Sequence, residues 1–476
     1  MLEELLEDKL HEECGVFGIF SRNEDVALNT YWGLYALQHR GQESTGIAVT
    51  DGQLMKIRKG MGLVADVFKG GVSDMKGYAA IGHVRYSTTG ASLPYNIQPL
   101  RVYFDGGNLA LSHNGNLTNA GYLREKLAKE GYCFNTTVDT EVVLALIARS
   151  KKPTIEERVA EAVRQIKGAF AILVMTDTKI IAVRDSYGFR PLVLGKTDES
   201  WCVASETCAF DLVGAELVRD VKPGEMIVID TDNAEPTCSF WAEELPEHTA
   251  HCVFEYVYFA RNDSIIDGQP VYAARIQMGR ELAKETADIH PDIVISCPDS
   301  GTPAAVGYAL EKGIPFMEGL TKNRYVGRTF IQPTQKQRAN SVRLKLNPVK
   351  CVVEGKSVAV VDDSIVRGTT SGKIVKLLKE AGAREVHMCI SSPPVTDSCY
   401  YGIDTSERRE LIAARCNEEE ICRYIGADSL HYISKEGMCR AISTIAPEGL
   451  CCACFSAGYP DKADEVMAQE PVKIIE

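Results

Sequence analysis

Asp362 and Asp363 stand side by side, and Ser364, Arg367, Gly368, Thr369 and Thr370 follow closely. That string can cradle an anion: glycine lets the backbone approach a ligand, and the hydroxyls donate hydrogen bonds. The acids need a further explanation, since a phosphate alone would be repelled. Carboxylates beside a phosphate cradle point to hydroxyls to be bound, a cation to be oriented, or both, and a phosphorylated sugar meets that description. The string is not the GxxxxGK[ST] of a P-loop, because no lysine follows the glycine and the acids come first. The elements that must present it are plain. Val358-Ala-Val-Val361 reads as a strand, and from Lys373 the residues Ile374, Val375, Leu377, Leu378 and Ala381 share a helical face that Gly382 ends. A strand that delivers a loop onto a helix N-terminus makes unpaired N–H groups converge, which suits an anion.

Polar turns beside apolar segments recur in the N-terminal half: Gln38-His-Arg-Gly-Gln-Glu-Ser-Thr-Gly-Ile47, Gly82-His-Val-Arg-Tyr-Ser-Thr-Thr-Gly90, Ser112-His-Asn-Gly-Asn116 and Val138-Asp-Thr-Glu141. The alternation suits a layered α/β domain whose loops converge on a site. Cys14-Gly-Val-Phe-Gly-Ile-Phe20 should be a strand with Cys14 at its start. Before it, Leu2, Leu5, Leu6 and Leu10 fall at helical spacing among six acids and Lys9, too acidic for a signal peptide or a mitochondrial presequence. Val221–Ile229 reads as a closing turn and strand, 230–247 as a linker, and Cys252–Arg261 as the opening of a second domain. Ile293–Ala305 repeats the strand–loop–helix pattern, with Pro303 in the first helical turn.

Between Gly319 and Val353 lie eight basic residues and no acid, in a chain of net charge −13. This is a local anion trap. RNA is a competing ligand, because Tyr325 and Phe330 interleave with the basic residues. A compact polyanion explains the patch better, since carboxylates and a phosphate cradle flank it. Gly327, Pro333 and the polar run 332–340 suggest a lid closing over substrate.

The chain's 476 residues suggest about two to four domains. Its 45% apolar and 25% charged residues are those of a globular protein. The negative charge argues against bulk nucleic-acid binding and favours a cytoplasmic protein. No apolar run approaches the roughly 18 residues of a membrane span, and Ala169–Met175 is a buried strand at most. Sixteen cysteines without a secretion signal do not read as a disulfide scaffold. Their clustering near the C-terminus, with the C-x₂-C pair Cys451 and Cys454, points towards metal.

The 358–371 string resembles the phosphoribosyl-diphosphate (PRPP) loop of type I phosphoribosyltransferases. The N-terminal stretches together resemble the glutaminase domain of N-terminal-nucleophile amidotransferases, with Cys14 in the nucleophile position. Lys322-Asn-Arg-Tyr-Val-Gly-Arg-Thr-Phe-Ile-Gln-Pro333 resembles the flexible loop of glutamine PRPP amidotransferases. From Cys14 to about Pro460 the chain is identified as a member of that family, in its iron–sulfur-containing, propeptide-processed subclass.

The resemblance implies an α/β fold in two parts. A glutaminase domain of α/β/β/α layers spans 14–245, and a type I phosphoribosyltransferase domain, with a mainly parallel sheet flanked by helices, spans 246–460. A propeptide, 1–13, precedes them, and a tail, 461–476, follows. The implied activity is that of a glycosyltransferase at the first committed step of de novo purine biosynthesis. Glutamine is hydrolysed, and its ammonia displaces pyrophosphate from C1 of PRPP, giving 5-phosphoribosylamine. Cys14 must become the first residue, because its freed α-amino group, of unperturbed pKa about 7.7–8.0, serves as the base. Asn114 and the Gly115 N–H would form the oxyanion hole, Arg85 would bind the glutamine α-carboxylate, and Asp139 its α-ammonium.

PRPP would lie against Asp362, Asp363, Ser364, Arg367, Gly368, Thr369, Thr370 and Lys322. One Mg²⁺ per subunit would be held near Ser300, Asp362 and Asp363. One [4Fe–4S] cluster per subunit would be held by Cys252, Cys399, Cys451 and Cys454, with four-thiolate zinc as the alternative. A homotetramer and feedback inhibition by purine nucleotides are also implied, with no nucleic-acid or membrane partner. His39, His83 and His113 read as structural hydrogen-bonders.

Taken singly, Arg85 could be a surface ion pair, Asn114-Gly115 a turn, and Asp139 a helix N-cap. The full set in order speaks against that. A non-catalytic PRPP- or nucleotide-binding regulator is the rival reading, but it needs no glutaminase residues. A glutamine-dependent sugar-phosphate aminating enzyme shares only the first domain. The sequence departs from the family pattern at Ala457-Gly458, where Gly-Lys is expected, and at Asn262, where proline is.

Overall fold

The computed structural model describes residues 14–86, 92–231, 233, 235–322, 346–403 and 408–460. The expected propeptide, the tail and most of the basic segment, including Arg324, Arg328, Lys336, Arg338, Arg343 and Lys345, lie outside the described residues.

Two antiparallel sheets stack in the N-terminal part. One has seven strands, in the order Glu216–Asp220, Val193–Lys196, Ser200–Ala204, Gly15–Ser21, Ala79–Arg85, Ser44–Thr50 and Met55–Met61. The other has six: Thr237–Phe240, Glu225–Asp230, Lys179–Arg184, Gly168–Thr176, Gly107–Leu117 and Leu100–Phe104. Period-two alternation explains the stacking. Ala171, Leu173 and Met175 pack inward against Val16, Ala48 and Ile81 of the facing sheet. Phe170, Ile172 and Val174 turn outward onto the helices Thr140–Arg149 and Ile155–Val163. Across the stack, Phe17 and Ile19 pack against the helix Val26–Ala36. The expected α/β/β/α layering is present.

The expected linker at 230–247 needs correction. Thr237–Phe240 adds an edge strand to the six-stranded sheet, with Glu225 opposite Phe240. Its four side chains are all exposed, so no alternation marks it in the sequence. Trp241 fixes it, buried, with its indole N–H donating to the Arg184 carbonyl at 2.9 Å.

The C-terminal part is built on a parallel sheet, in the order Ile293–Ser296, Ser357–Asp362, Glu385–Ile390 and Ser429–Tyr432. Such strands are buried on both faces and read as continuous apolar runs. Ala359 and Val361 face the helices Val271–Glu285 and Thr302–Lys312, while Val358 and Val360 face Thr369–Glu380 and Glu418–Ile425. The first two helices touch backbone to backbone: a Cβ on Gly279 would collide with the Ala304 carbonyl, and one on Gly307 with that of Ile276. The helix after the acidic loop starts at Thr369 rather than Lys373, because the polar residues of its first turn leave the apolar period silent.

Candidate functional site

Cys14 is buried at the head of the Gly15–Ser21 strand. Gly15 lies opposite Val84, so Arg85 closes the neighbouring strand at the same end. The Cys14 sulfur is 3.7 Å from the Tyr86 carbonyl oxygen. Asn114 arrives from the other sheet. Its Nδ2 donates to Ser205 Oγ at 3.5 Å, and that hydroxyl accepts the Val16 N–H at 3.0 Å. Asn114 Oδ1 is buried and, among the described residues, has no partner. Gly115 has φ 138°, and a Cβ there would strike the Ala169 carbonyl, so glycine is required.

Asp139 precedes the helix Thr140–Arg149 but does not cap it with its side chain. Its Oδ2 accepts the Leu117 N–H at 3.0 Å, and its Oδ1 lies 3.6 Å from His113 Nδ1. Burial would raise the Asp139 pKa, but the charge and bond of His113 and the backbone donors outweigh it and hold the carboxyl below its usual range. His83 Nε2 donates to the His113 carbonyl at 3.0 Å, and burial pushes its pKa down to about 3, so the imidazole is neutral.

Arg40 was given no role by sequence reasoning, yet it organises this end. Its Nε donates to the Cys14 carbonyl at 3.3 Å, one terminal nitrogen to Glu206, and the other to both Glu255 oxygens at 2.8 and 3.0 Å. Arg190 also reaches Glu255, at 3.3 Å, and donates to the Tyr401 carbonyl at 3.1 Å. All four charged side chains are buried. Burial would raise the Glu206 pKa, but His39, 2.7 Å away, and Arg40 hold it far below the carboxylate range. The two acids lie 166 and 215 positions from Arg40, so no local spacing signals the network.

The second cluster forms at the carboxyl ends of the parallel strands, where open α/β sheets bind ligands. Asp362, Asp363 and Ser364 are buried. Asp363 gathers the loops: Ser364 Oγ donates to its Oδ1 at 2.7 Å, and Ser300 Oγ to its Oδ2. Gly301 permits that approach, since a Cβ would lie 2.6 Å from the Val361 carbonyl. Gly368, at φ 79°, starts the helix, with Thr369 and Thr370 half-buried in its first turn. Lys322 and Arg367 are drawn to other acids: Lys322 Nζ is 2.8 Å from Asp299 Oδ2, and an Arg367 terminal nitrogen is 2.8 Å from Glu410 Oε2. Among the described residues, no three His, Cys, Asp or Glu side chains gather closely enough to hold one ion. Mg²⁺ asks less of a protein, taking one or two carboxylates and completing its shell with water and phosphates.

Four cysteines line one pocket. Cys252 and Cys451 face each other across a short parallel bridge, and Cys399 and Cys454 complete the lining with Phe189, Arg190, Tyr401, Ile403 and Ala453. The Tyr401 N–H donates to Cys399 Sγ at 3.3 Å, and the N–H groups of Thr396 and Asp397 fix the Cys454 carbonyl at 3.0 and 3.1 Å. Burial pushes the Cys252 and Cys454 thiols well up. Cys452 is absent from the lining and hydrogen-bonds with Cys439. Asn262 accepts from Arg275 at 2.6 Å, and Ala457 adopts φ 54°.

Residues 83–211 match a glutamine amidotransferase domain family, and residues 262–400 a phosphoribosyl transferase domain family. The amidophosphoribosyltransferase of Bacillus subtilis is 49% identical over 456 residues, covering 95% of this chain and 94% of that protein. Its counterpart from Methanothermobacter thermautotrophicus is 45% identical over 463 residues, covering 95% and 96%. The solved structure of the B. subtilis glutamine PRPP amidotransferase complexed with ADP and GMP is similar at TM-score 0.89 and 48% identity, covering 94% of this chain and 97% of that one.

Proposed function

Because the chain belongs to the amidophosphoribosyltransferase family, we propose that it makes 5-phosphoribosylamine from PRPP and glutamine, with residues 14–245 as the glutaminase and 246–460 as the phosphoribosyltransferase. The observation that carries this reading is the meeting of Cys14 and Arg85 on one sheet with the Asn114-Gly115 pair of the other.

The Cys14 sulfur attacks the glutamine amide carbon and its proton passes to the Cys14 α-amino nitrogen. The oxyanion accepts hydrogen bonds from Asn114 Nδ2 and the Gly115 N–H, each worth about 2.7–4 kcal/mol in comparable sites. The Cys14 α-ammonium returns its proton to the amide nitrogen as collapse expels ammonia, and water then hydrolyses the thioester to glutamate and restores the thiol. Arg85 holds the substrate α-carboxylate and Asp139 its α-ammonium.

Ammonia next displaces pyrophosphate from C1 of PRPP. Ser364, Gly368, Thr369 and Thr370 cradle its 5-phosphate, and Asp362 and Asp363 take the ribose hydroxyls. Lys322 and Arg367 move from their present acids to the substrate. Ser300, Asp362 and Asp363 would hold Mg²⁺, which would supply positive charge to the pyrophosphate leaving group.

Cleavage after Glu13 is the first maturation step. Cys14 has φ 37°, a conformation that costs a non-glycine residue about 1–3 kcal/mol and ceases to exist once Cys14 is the first residue. A [4Fe–4S] cluster on Cys252, Cys399, Cys451 and Cys454 serves as a structural or oxygen-sensing element, as neither reaction transfers electrons. Four thiolates lining one pocket suit a cluster, with zinc on the same four as the alternative. The chain works as a cytoplasmic homotetramer inhibited by purine nucleotides. The ADP and GMP bound to the B. subtilis relative support that regulation.

The test is joint release of glutamate and pyrophosphate from glutamine, PRPP and Mg²⁺ by anaerobically purified protein. Mass spectrometry of its N-terminus checks the cleavage. Binding of PRPP with no release of either product would support the regulator instead.

A further inference from the structure

We infer that His113 is a positioning residue that sets Asp139 for an α-ammonium group and so gives the site its preference for an amino acid amide; the inference rests on the glutaminase reading. Along Gly107–Leu117 the side chains alternate between faces, and Leu109, Leu111 and Leu117 mark the one that packs on the helix Thr140–Arg149. His113 shares their face and is 1% exposed.

Its Nδ1 lies 3.6 Å from Asp139 Oδ1 and 3.4 Å from Thr140 Oγ1. Gln98 braces the group: its Oε1 accepts the His113 N–H at 2.7 Å, and its Nε2 donates to Thr140 Oγ1 at 3.0 Å. His83 holds the His113 carbonyl, and Leu117 holds the other Asp139 oxygen. Among the described residues His113 Nε2 is buried without a partner, so the ring's polar contacts there all serve Asp139 and Thr140. An aspartate just before a helix ordinarily turns back to cap its first N–H groups. Here the side chain caps neither the second nor the third helical N–H. The imidazole and the Thr140 hydroxyl, which donates to Oδ1 at 3.4 Å and itself abuts the ring, together hold that oxygen in place, and the substrate ammonium meets a carboxylate already aimed.

The test compares glutamine with glutaramate, which lacks the α-amino group, in wild type and in His113→Ala, His113→Asn and His113→Gln. Asparagine places an N–H near the position of Nδ1, whereas glutamine places one near Nε2. Expected is an about tenfold rise in the KM for glutamine in His113→Ala with kcat little changed, and an about tenfold loss of preference over glutaramate. His113→Asn should recover most of that preference and His113→Gln should not. Ammonia-dependent product formation from PRPP should persist in all three and reports folding. A uniform fall for both substrates, or rescue by Gln rather than Asn, overturns the inference. Wild type that hydrolyses no glutamine overturns the glutaminase reading itself, and the inference with it.

Discussion

Arg40 and Glu255 form a two-pronged ion pair with bonds of 2.8 and 3.0 Å, and both side chains are buried. The same guanidinium holds the Cys14 carbonyl, and the same carboxylate holds Arg190 in the lining of the four-cysteine pocket. Two charged side chains and one shared acid therefore separate the proposed nucleophile from the sulfur pocket.

Glu255→Ala removes the buried acid shared by Arg40 and Arg190, although Arg40 keeps Glu206, and should cost about 3–5 kcal/mol. A matching fall in the urea midpoint is expected. Glutamine hydrolysis should suffer more than the ammonia-dependent reaction, because the lost partner acts through Arg40 on Cys14.

His83 contributes a pH dependence of known sign. Its pKa is about 3 in the fold against 6.5 for the free side chain. Near pH 8 both folded and unfolded chains carry it neutral. Below pH 6.5 only the unfolded chain takes up the proton, so stability falls by about 1.4 kcal/mol per pH unit towards pH 3. Between pH 7 and pH 5, His83→Gln should lose about 2 kcal/mol less than wild type in urea unfolding.

Ser300→Ala frees Asp363 Oδ2 from the hydroxyl that holds it. An outer partner of a metal-binding carboxylate is worth about 10–100-fold in affinity. The Mg²⁺ concentration for half-maximal ammonia-dependent activity should rise by that factor, with glutamine hydrolysis in the absence of PRPP unchanged.

Cys399→Ser should abolish bound iron and brown colour, whereas Cys452→Ser should keep both, because Cys452 points to Cys439 and not to the pocket. Iron analysis of the two purified variants decides between them.

Gly279→Ala forces two helices apart, because its Cβ meets the Ala304 carbonyl, and should cost about 1–3 kcal/mol. Gly121→Ala, with open space around the new methyl, should gain about 1 kcal/mol. Thermal unfolding of the pair separates close packing from helix propensity.

Much of this was legible in the residues. The Asp362–Thr370 string and its flanks announced a strand, loop and helix, and the alternation of polar turns with apolar segments announced a layered α/β domain. The C-x₂-C spacing favoured Cys451 with Cys454, and these two line the pocket from which Cys452 is absent. The Thr237–Phe240 strand escaped because its side chains are exposed and only Trp241 anchors it. Arg40 escaped for another reason: its partners are brought to it by tertiary packing across most of the chain. His113 was read as a hydrogen-bonder, which it is, but its partner could be named only once the helix bearing Thr140 was in place.

The acids and bases that bridge the two parts also decide what can be done with either one. A chain cut after residue 245 would deprive Arg40 of Glu255, Arg184 of Asp267, and Glu206 of the Ser264 hydroxyl and the Arg261 N–H. Arg40, Arg184 and Glu206 are all buried in the intact chain. The ammonia-generating half is therefore no transplantable cassette, and grafting it onto a foreign acceptor enzyme requires carrying residues 246–267 along with it.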